Sequence, residues 1–249
     1  MRPIRGSDDQ RPALSYLQLS GFERMATRDW VYHALLEAIV RGQLKPGAWL
    51  SETDLATQLE VSRTPLREAL QRLQSDLLIE RGQNGKLYVR GLSSKEARDL
   101  YAVRLSLEEL TVEEAAANMT DAKLATLGES LERMRLAADQ VWEDVAEGGR
   151  DFHDVLLEIA GNEMTSWVLG QLKPHIDRYR FLSTRVSRER GLQAVREHEE
   201  IHEALRKGDV ESAKLAMRRH IENGRETVLV ALETSREHES TTEANRNES

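Results

Sequence analysis

Two helix starts stand eleven residues apart, at Ser51 and Ser62, and each opens onto an apolar stripe. A serine at this position takes extended backbone and can offer its side-chain oxygen to the unpaired N–H groups of the first turn. After Ser51 come Glu52 and Asp54, whose charge suits a helix N-terminus, and then Leu55, Ala56 and Leu59 as a buried face. Only Glu60 and Val61 intervene before Ser62. Pro65 sits in the next first turn, where its missing N–H costs nothing. In the helix that follows, Leu66, Ala69, Leu70 and Leu73 fall at i, i+3, i+4 and i+7. Arg63, Thr64, Arg67 and Gln71 occupy the other side.

The flanking segments complete a layout. A helix is expected from about Ala26 to Gly42, with Trp30, Val31, Ala34, Leu35, Ala38 and Ile39 on one stripe. Downstream, Leu78–Glu80 and Leu87–Val89 bracket the basic stretch Arg81 to Lys86, whose Asn84-Gly85 pair signals a tight hairpin. Three helices followed by a small basic hairpin is a winged helix-turn-helix arrangement. Beyond Gly91 the periodicity is helical throughout. Helices are expected at about Ser94–Asn118, Asp121–Asp139, Asp151–Ala160, Met164–Leu182, Arg190–Arg206 and Asp209–Leu232, an all-α bundle. The fold class is therefore mainly α, in two domains: a winged helix at 23–91 and a helical domain at 92–234. Residues 1–22 read as an N-terminal arm, and the polar stretch 235–249 as a disordered tail.

Composition excludes several functions. With no cysteine there is no disulfide, thiolate nucleophile or cysteine zinc site. No apolar run approaches the ~18–20 residues of a membrane span, and the N-terminus lacks a signal-peptide core, so a cytoplasmic protein is expected. The net charge of −8 is unevenly spread. Residues 1–90 hold 13 Lys and Arg against 11 Asp and Glu, so the acidity belongs to the helical domain. A near-neutral first third permits a local basic surface.

The helix after Ser62 has the chemistry to read a duplex. Arg63 and Arg67 can each present a bidentate fork to guanine, and Ser62 and Thr64 can bond phosphates or bases. From the wing, Arg81, Gln83, Asn84 and Lys86 can reach the backbone or the minor groove. In the helical domain His153, His198, His202 and His220 lie where three helices can bring imidazoles to one divalent ion. An alternative reading uses His198-Glu199-Glu200-Ile201-His202, an HExxH pattern, as a zinc metallohydrolase with Glu199 as general base. Arg104, four residues before Glu108, is a candidate for an effector's carboxylate or half of a structural ion pair. Arg178 and Tyr179 are further effector candidates.

The segments Gly42-x-Leu44-x-Pro46-Gly47, Leu50-Ser51-Glu52, Leu55-Ala56 and Val61 through Leu70 together resemble the DNA-binding domain of the GntR family. The resemblance implies base reading by Arg63 and Arg67 and backbone contacts by Ser62, Thr64 and the wing at Asn84 and Gly85. Thr53 stands where some members carry an Arg, and Leu77 where a Gly is usual. The C-terminal half is similar to the FCD ligand-binding domain of the FadR group, in its VanR-like subgroup, through Tyr101-x-x-Arg104-x-x-Leu107-Glu108, Phe152-His153-x-x-Leu156, Glu197-His198 and His220. That resemblance implies a divalent metal, Zn or Ni-like, on His153, His198 and His220 with an Asp four residues before the first His. That position is Gly149 here, and Asp151 points about 200° away around a helix. His202 then becomes a replacement ligand or an orienting neighbour. A repressor is implied, acting on operator DNA as a homodimer and released by a small organic or sugar acid.

Overall fold

The computed structural model describes residues 26–140, 145–184 and 188–247. The chain divides into two compact units, Met1–Gly91 and Leu92–Ser249. The expected arm at 1–22 lies outside the described residues.

In the first unit α1 (Thr27–Val40), α2 (Glu52–Gln58) and α3 (Arg63–Ser75) enclose a core with a small sheet of β1 (Trp49–Leu50), β2 (Ile79–Arg81) and β3 (Leu87–Val89). The sheet order is β1-β3-β2, antiparallel throughout. Leu35, Leu66, Leu73, Leu78 and Ile79 are almost completely buried there, so the stripe on α3 is its inward face. Ser51 caps α2 by accepting a hydrogen bond from the Asp54 N–H at 3.3 Å. Ser62 holds the equivalent extended backbone at the start of α3, but its side chain makes no cap bond, contrary to the sequence reading.

Two corners of this unit put a residue other than glycine in left-handed backbone. Glu60 (φ 54°) ends α2 and Leu77 (φ 57°) ends α3. After α3 the Leu78 N–H reaches back to the Leu73 carbonyl (2.9 Å) and the Leu77 N–H to that of Gln74 (3.1 Å), a helix end that usually employs glycine. Leu77 is 57% exposed, so its side chain gains little from packing. Leu77→Gly is therefore expected to stabilise the unit by about 0.5–1 kcal/mol, relief of backbone strain outweighing lost chain entropy. A urea midpoint that falls in the variant would contradict this.

The second unit consists of α4 (Ser94–Ala117), α5 (Asp121–Gln140), α6 (Val145–Ala160), α7 (Glu163–Thr184), α8 (Arg188–Arg206) and α9 (Val210–Asn247). α4 packs on α6, α7 and α9, while α8 packs on α5, α6 and α9. Phe152, Leu127, Leu156, Ile201 and Met217 are fully buried at the centre. Two boundaries depart from expectation. α6 begins at Val145 rather than Asp151 and carries Gly148 and Gly149 inside it. A Cβ at Gly148 would stand 2.8 Å from the Met134 Cα, so the bare helix face lets α5 come close. α9 runs on to Asn247 through the segment expected to be disordered. Extending a formed helix needs no new nucleus, and its Glu, Ala and Arg residues favour continuation.

Candidate functional site

The exposed face of α3 assembles the first site. Ser62, Arg63, Thr64, Arg67 and Gln71 are all exposed, while the leucines beneath them are buried. Among the described residues no ion pair holds Arg63. Arg67 is engaged: its Nε donates to the Glu52 Oε2 of α2 at 2.8 Å. Such exposed pairs contribute only about 0.2–1 kcal/mol, so this one orients the guanidinium at little cost to release.

The wing is more self-contained than its sequence suggested. Arg81 pairs with Leu87, so five residues turn the chain where Asn84-Gly85 alone suggested a tight hairpin. Asn84 Oδ1 accepts from the Lys86 N–H (3.0 Å) and its Nδ2 donates to the Tyr88 hydroxyl (2.7 Å). Gly85 takes φ +76°, and Arg81 donates to its carbonyl at 2.6 Å. Lys86 lies over the Trp49 ring, 4.2 Å from its centroid. β1, which brings Trp49 there, is too short to leave a period in the sequence.

The second site lies in the helical unit, where α6, α8 and α9 carry His153, His198 and His220. All three are buried, and their donor atoms lie within 4.8 Å of one another. Each ring is aimed by an acceptor on its Nδ1 side. His153 Nδ1 faces Glu108 Oε2 at 2.9 Å, His198 Nδ1 the Ala194 carbonyl at 2.6 Å, and His220 Nδ1 Glu197 Oε2 at 2.8 Å. Those acceptors place the proton on Nδ1 and leave Nε2 bare. His153 Nε2 and His220 Nε2 are 3.2 Å apart, close to the roughly 3.3 Å separating two nitrogens on one tetrahedral ion. His198 Nε2 is buried without a hydrogen-bond partner.

Burial is the main cause that holds His198 and His220 well below the ordinary imidazole value, reinforced by neighbouring imidazoles and, at His220, by Arg104. Burial also lowers His153, although Glu108 opposes it. The unfolded chain therefore binds more protons than the folded one below about pH 6.5, so stability falls on acidification. With chelator present, the urea midpoint of the helical unit is expected to drop between about pH 7.5 and 5.5. A midpoint that rises over that interval would contradict neutral imidazoles.

The supporting carboxylates were not assigned this role from sequence. Glu108 accepts from Arg104 Nε (3.1 Å) as well as from His153. Burial alone would raise its pKa, but His153 and Arg104 together hold the carboxyl far below the usual range. Glu197 accepts from Arg190, Gln193, Asn223 and His220. Glu197 beside His198, with Arg190 and Gln193 seven and four residues earlier on one helix face, was the available signal.

The remaining candidates separate. Arg104 joins the site: it is 3% exposed, and its Nη2 stands 3.3 Å from His153 Nε2. A cavity of about 200 Å³ opens beside it, lined by Arg104, His153, Arg150, Lys173, Asp177 and Arg180 among others. Arg178 and Tyr179 are buried and do not line that cavity. The Tyr179 hydroxyl accepts from the Ser93 N–H at 3.2 Å and so braces the start of α4. His202 Nε2 instead approaches the Leu124 carbonyl (3.4 Å), and Glu199 is paired with Arg135 (2.6 Å). The HExxH pattern thus yields no metal pair and no free base, because His202 points to α5 while His198 points inward. Asp151 faces Arg133 at 3.6 Å, away from the triad.

The triad has the chemistry of a metal site. It offers three convergent nitrogens, one of them an orphaned buried acceptor, and a Cβ at Gly149 would sit 3.8 Å from that His198 Nε2 in ordinary contact.

Residues 27–89 match the family described as bacterial regulatory proteins, gntR family, and residues 99–223 match the FCD domain. The transcriptional repressor RspR of Escherichia coli is 31% identical, over 80% of this chain and 87% of its own. The chain belongs to the gntR family. It is a DNA-binding transcription regulator, not an enzyme, and it joins a GntR domain to a helical FCD domain. Another relative, the gluconate operon transcriptional repressor of Bacillus subtilis, is 30% identical over 63% of this chain and 64% of its own. Among solved structures, E. coli McbR/YncC shares the fold with a TM-score of 0.72, at 23% identity over 82% of this chain and 97% of that one. No helix among the described residues is long and apolar enough to cross a membrane.

Proposed function

We propose that this regulator is a homodimeric repressor that leaves its operator when a small organic or sugar acid enters the helical domain. On the DNA side, Arg63 and Arg67 read base edges from the N-terminal end of α3. Ser62, Thr64 and Gln71 bond neighbouring phosphates or bases, and Asn84, Gly85 and Lys86 carry the wing to the backbone. The unused hydroxyl of Ser62 suits that role, since no cap bond competes for it. Pairing two copies matches a two-fold operator and doubles the contacts.

The observation that carries the sensing half is the meeting of three bare imidazole nitrogens with the buried Arg104 at the edge of a cavity of about 200 Å³. His153, His198 and His220 would hold a divalent ion such as Zn or Ni. A bound ion would supply a Lewis-acidic partner for an oxygen anion. Arg104 would take the same carboxylate from its other side, its fork already oriented by Glu108. The name of one relative supports this class, since it is a repressor of a gluconate operon and gluconate is a sugar acid.

A thermal-shift screen of carboxylic acids, with and without chelator, tests the reading. A true effector at 100 times its dissociation constant adds about 2.7 kcal/mol to the folded state and shifts the melting point by several degrees. The same acid is expected to weaken operator binding, as it must favour one state over the other. If no acid shifts the melting point under either condition, the sensing role is excluded.

A further inference from the structure

The three imidazoles supply nitrogen and no charge. Among the described residues, the group able to hold an ion consists of His153, His198 and His220 alone. The two carboxylates in contact with their rings, Glu108 and Glu197, lie on the Nδ1 sides and are occupied there by Arg104, Arg190, Gln193 and Asn223. Neither can turn to the ion without leaving buried donors unpaired. A divalent cation seated on the three Nε2 atoms would therefore enter a buried site with no anionic ligand from the protein.

Arg104 sharpens this. Its Nη2 faces the His153 lone pair at 3.3 Å. An ion on His153 takes that lone pair, and the Arg104 N–H must then find another acceptor. The cavity beside it is where an acceptor can enter. One carboxylate oxygen on the ion and the other on Arg104 would answer both needs at once. Gly149 leaves room on the remaining side, since nothing extends from its Cα toward His198 Nε2.

We propose that the site takes up its cation and an effector carboxylate as a pair, with Gly149 as the residue that makes metal binding depend on the anion. This rests on the sensing reading above. By reciprocity, the factor by which carboxylate tightens metal binding is also the factor by which metal tightens carboxylate binding. A side-chain carboxylate at position 149 would supply the missing charge and uncouple the two.

The test uses the full-length protein with Zn²⁺ in competition with a chromophoric chelator. Acetate is compared with methanesulfonate, a poorly coordinating anion, at constant ionic strength, and binding lost in His198→Ala defines the site. Wild type is expected to hold zinc at least about tenfold more tightly in acetate, a typical coupling magnitude. Gly149→Asp should bind at least about tenfold more tightly than wild type in methanesulfonate and respond to acetate by less than about twofold. A Cβ at position 149 would meet no atom closer than 3.5 Å, so the backbone there accepts a side chain without a clash at its first atom. Gly149→Ala, which adds bulk without charge, should keep the acetate dependence. The wild-type comparison decides the coupling even if a variant fails to fold. Equal zinc affinity in both salts overturns the coupling and leaves the sensing reading intact. Absence of any His198-dependent zinc binding in either salt overturns both.

Discussion

Arg63→Ala is expected to weaken binding to the specific operator by about 5- to 150-fold, equivalent to about 1–3 kcal/mol, while binding to unrelated DNA changes far less. The expectation follows from where α3 places the side chain. Leu66, Ala69, Leu70 and Leu73 fix the helix in the core, so the first turn can present Arg63 only outward. A guanidinium there can form two parallel bonds to guanine O6 and N7, and truncation removes both. Fluorescence anisotropy on operator and scrambled duplexes separates this loss from a general loss of charge. Equal weakening on both duplexes would make Arg63 a phosphate contact instead. Arg67→Ala should lose at least as much, because it also strips Glu52 of its partner and leaves an unpaired carboxylate near the phosphates.

Glu108→Gln is expected to destabilise the helical domain by about 3–5 kcal/mol, the usual consequence of breaking a buried ion pair from one side. Arg104 and Glu108 are 3% and 5% exposed along their side chains, so solvent cannot replace the lost charge. The same carboxylate receives the His153 Nδ1 proton, and its loss would also free that ring to take the other tautomer. Urea unfolding followed by circular dichroism measures the effect. Replacing both partners together, as Arg104→Met with Glu108→Leu, should cost much less, since no charge is then stranded. A single Glu108→Gln variant as stable as wild type would mean that water reaches the pair.

Most of the fold could be read from short-range chemistry. The two faces of α3, the gap between the helices expected to end at Arg206 and to begin at Asp209, and the helical character beyond Gly91 all follow from periodicity and punctuation, which act within a turn or two. What escaped depends on contacts distant in sequence. Gly148 and Gly149 precede the helix start expected at Asp151, yet they belong to α6, with α5 lying against them. β1 has two residues and exists because β3 pairs with it. Ser62 resembles Ser51 in sequence, yet only Ser51 makes the cap bond.

The sensing site was legible as a set of residue types and not as a geometry. His198 and His202 stand at i and i+4, a spacing that usually puts two side chains on one face. Their partners decide otherwise: the Ala194 carbonyl turns His198 toward His220, and Leu124 of α5 draws His202 away. The choice for Arg104 between effector ligand and ion-pair partner also dissolves in the folded chain. It is paired with Glu108 and faces the triad, so the pair is what aims it. Glu197 carries four donors from two helices, a role visible only when α8 and α9 lie side by side.

Selection of bound sequences from a random duplex pool by the full-length protein examines the DNA-binding assignment most directly. Enrichment of one motif is expected, with two-fold symmetry and guanines in each half-site, and its recovery should fail with Arg63→Ala. A pool that emerges unenriched, or a motif recovered equally well by the variant, would contradict the assignment of α3 as the reading helix.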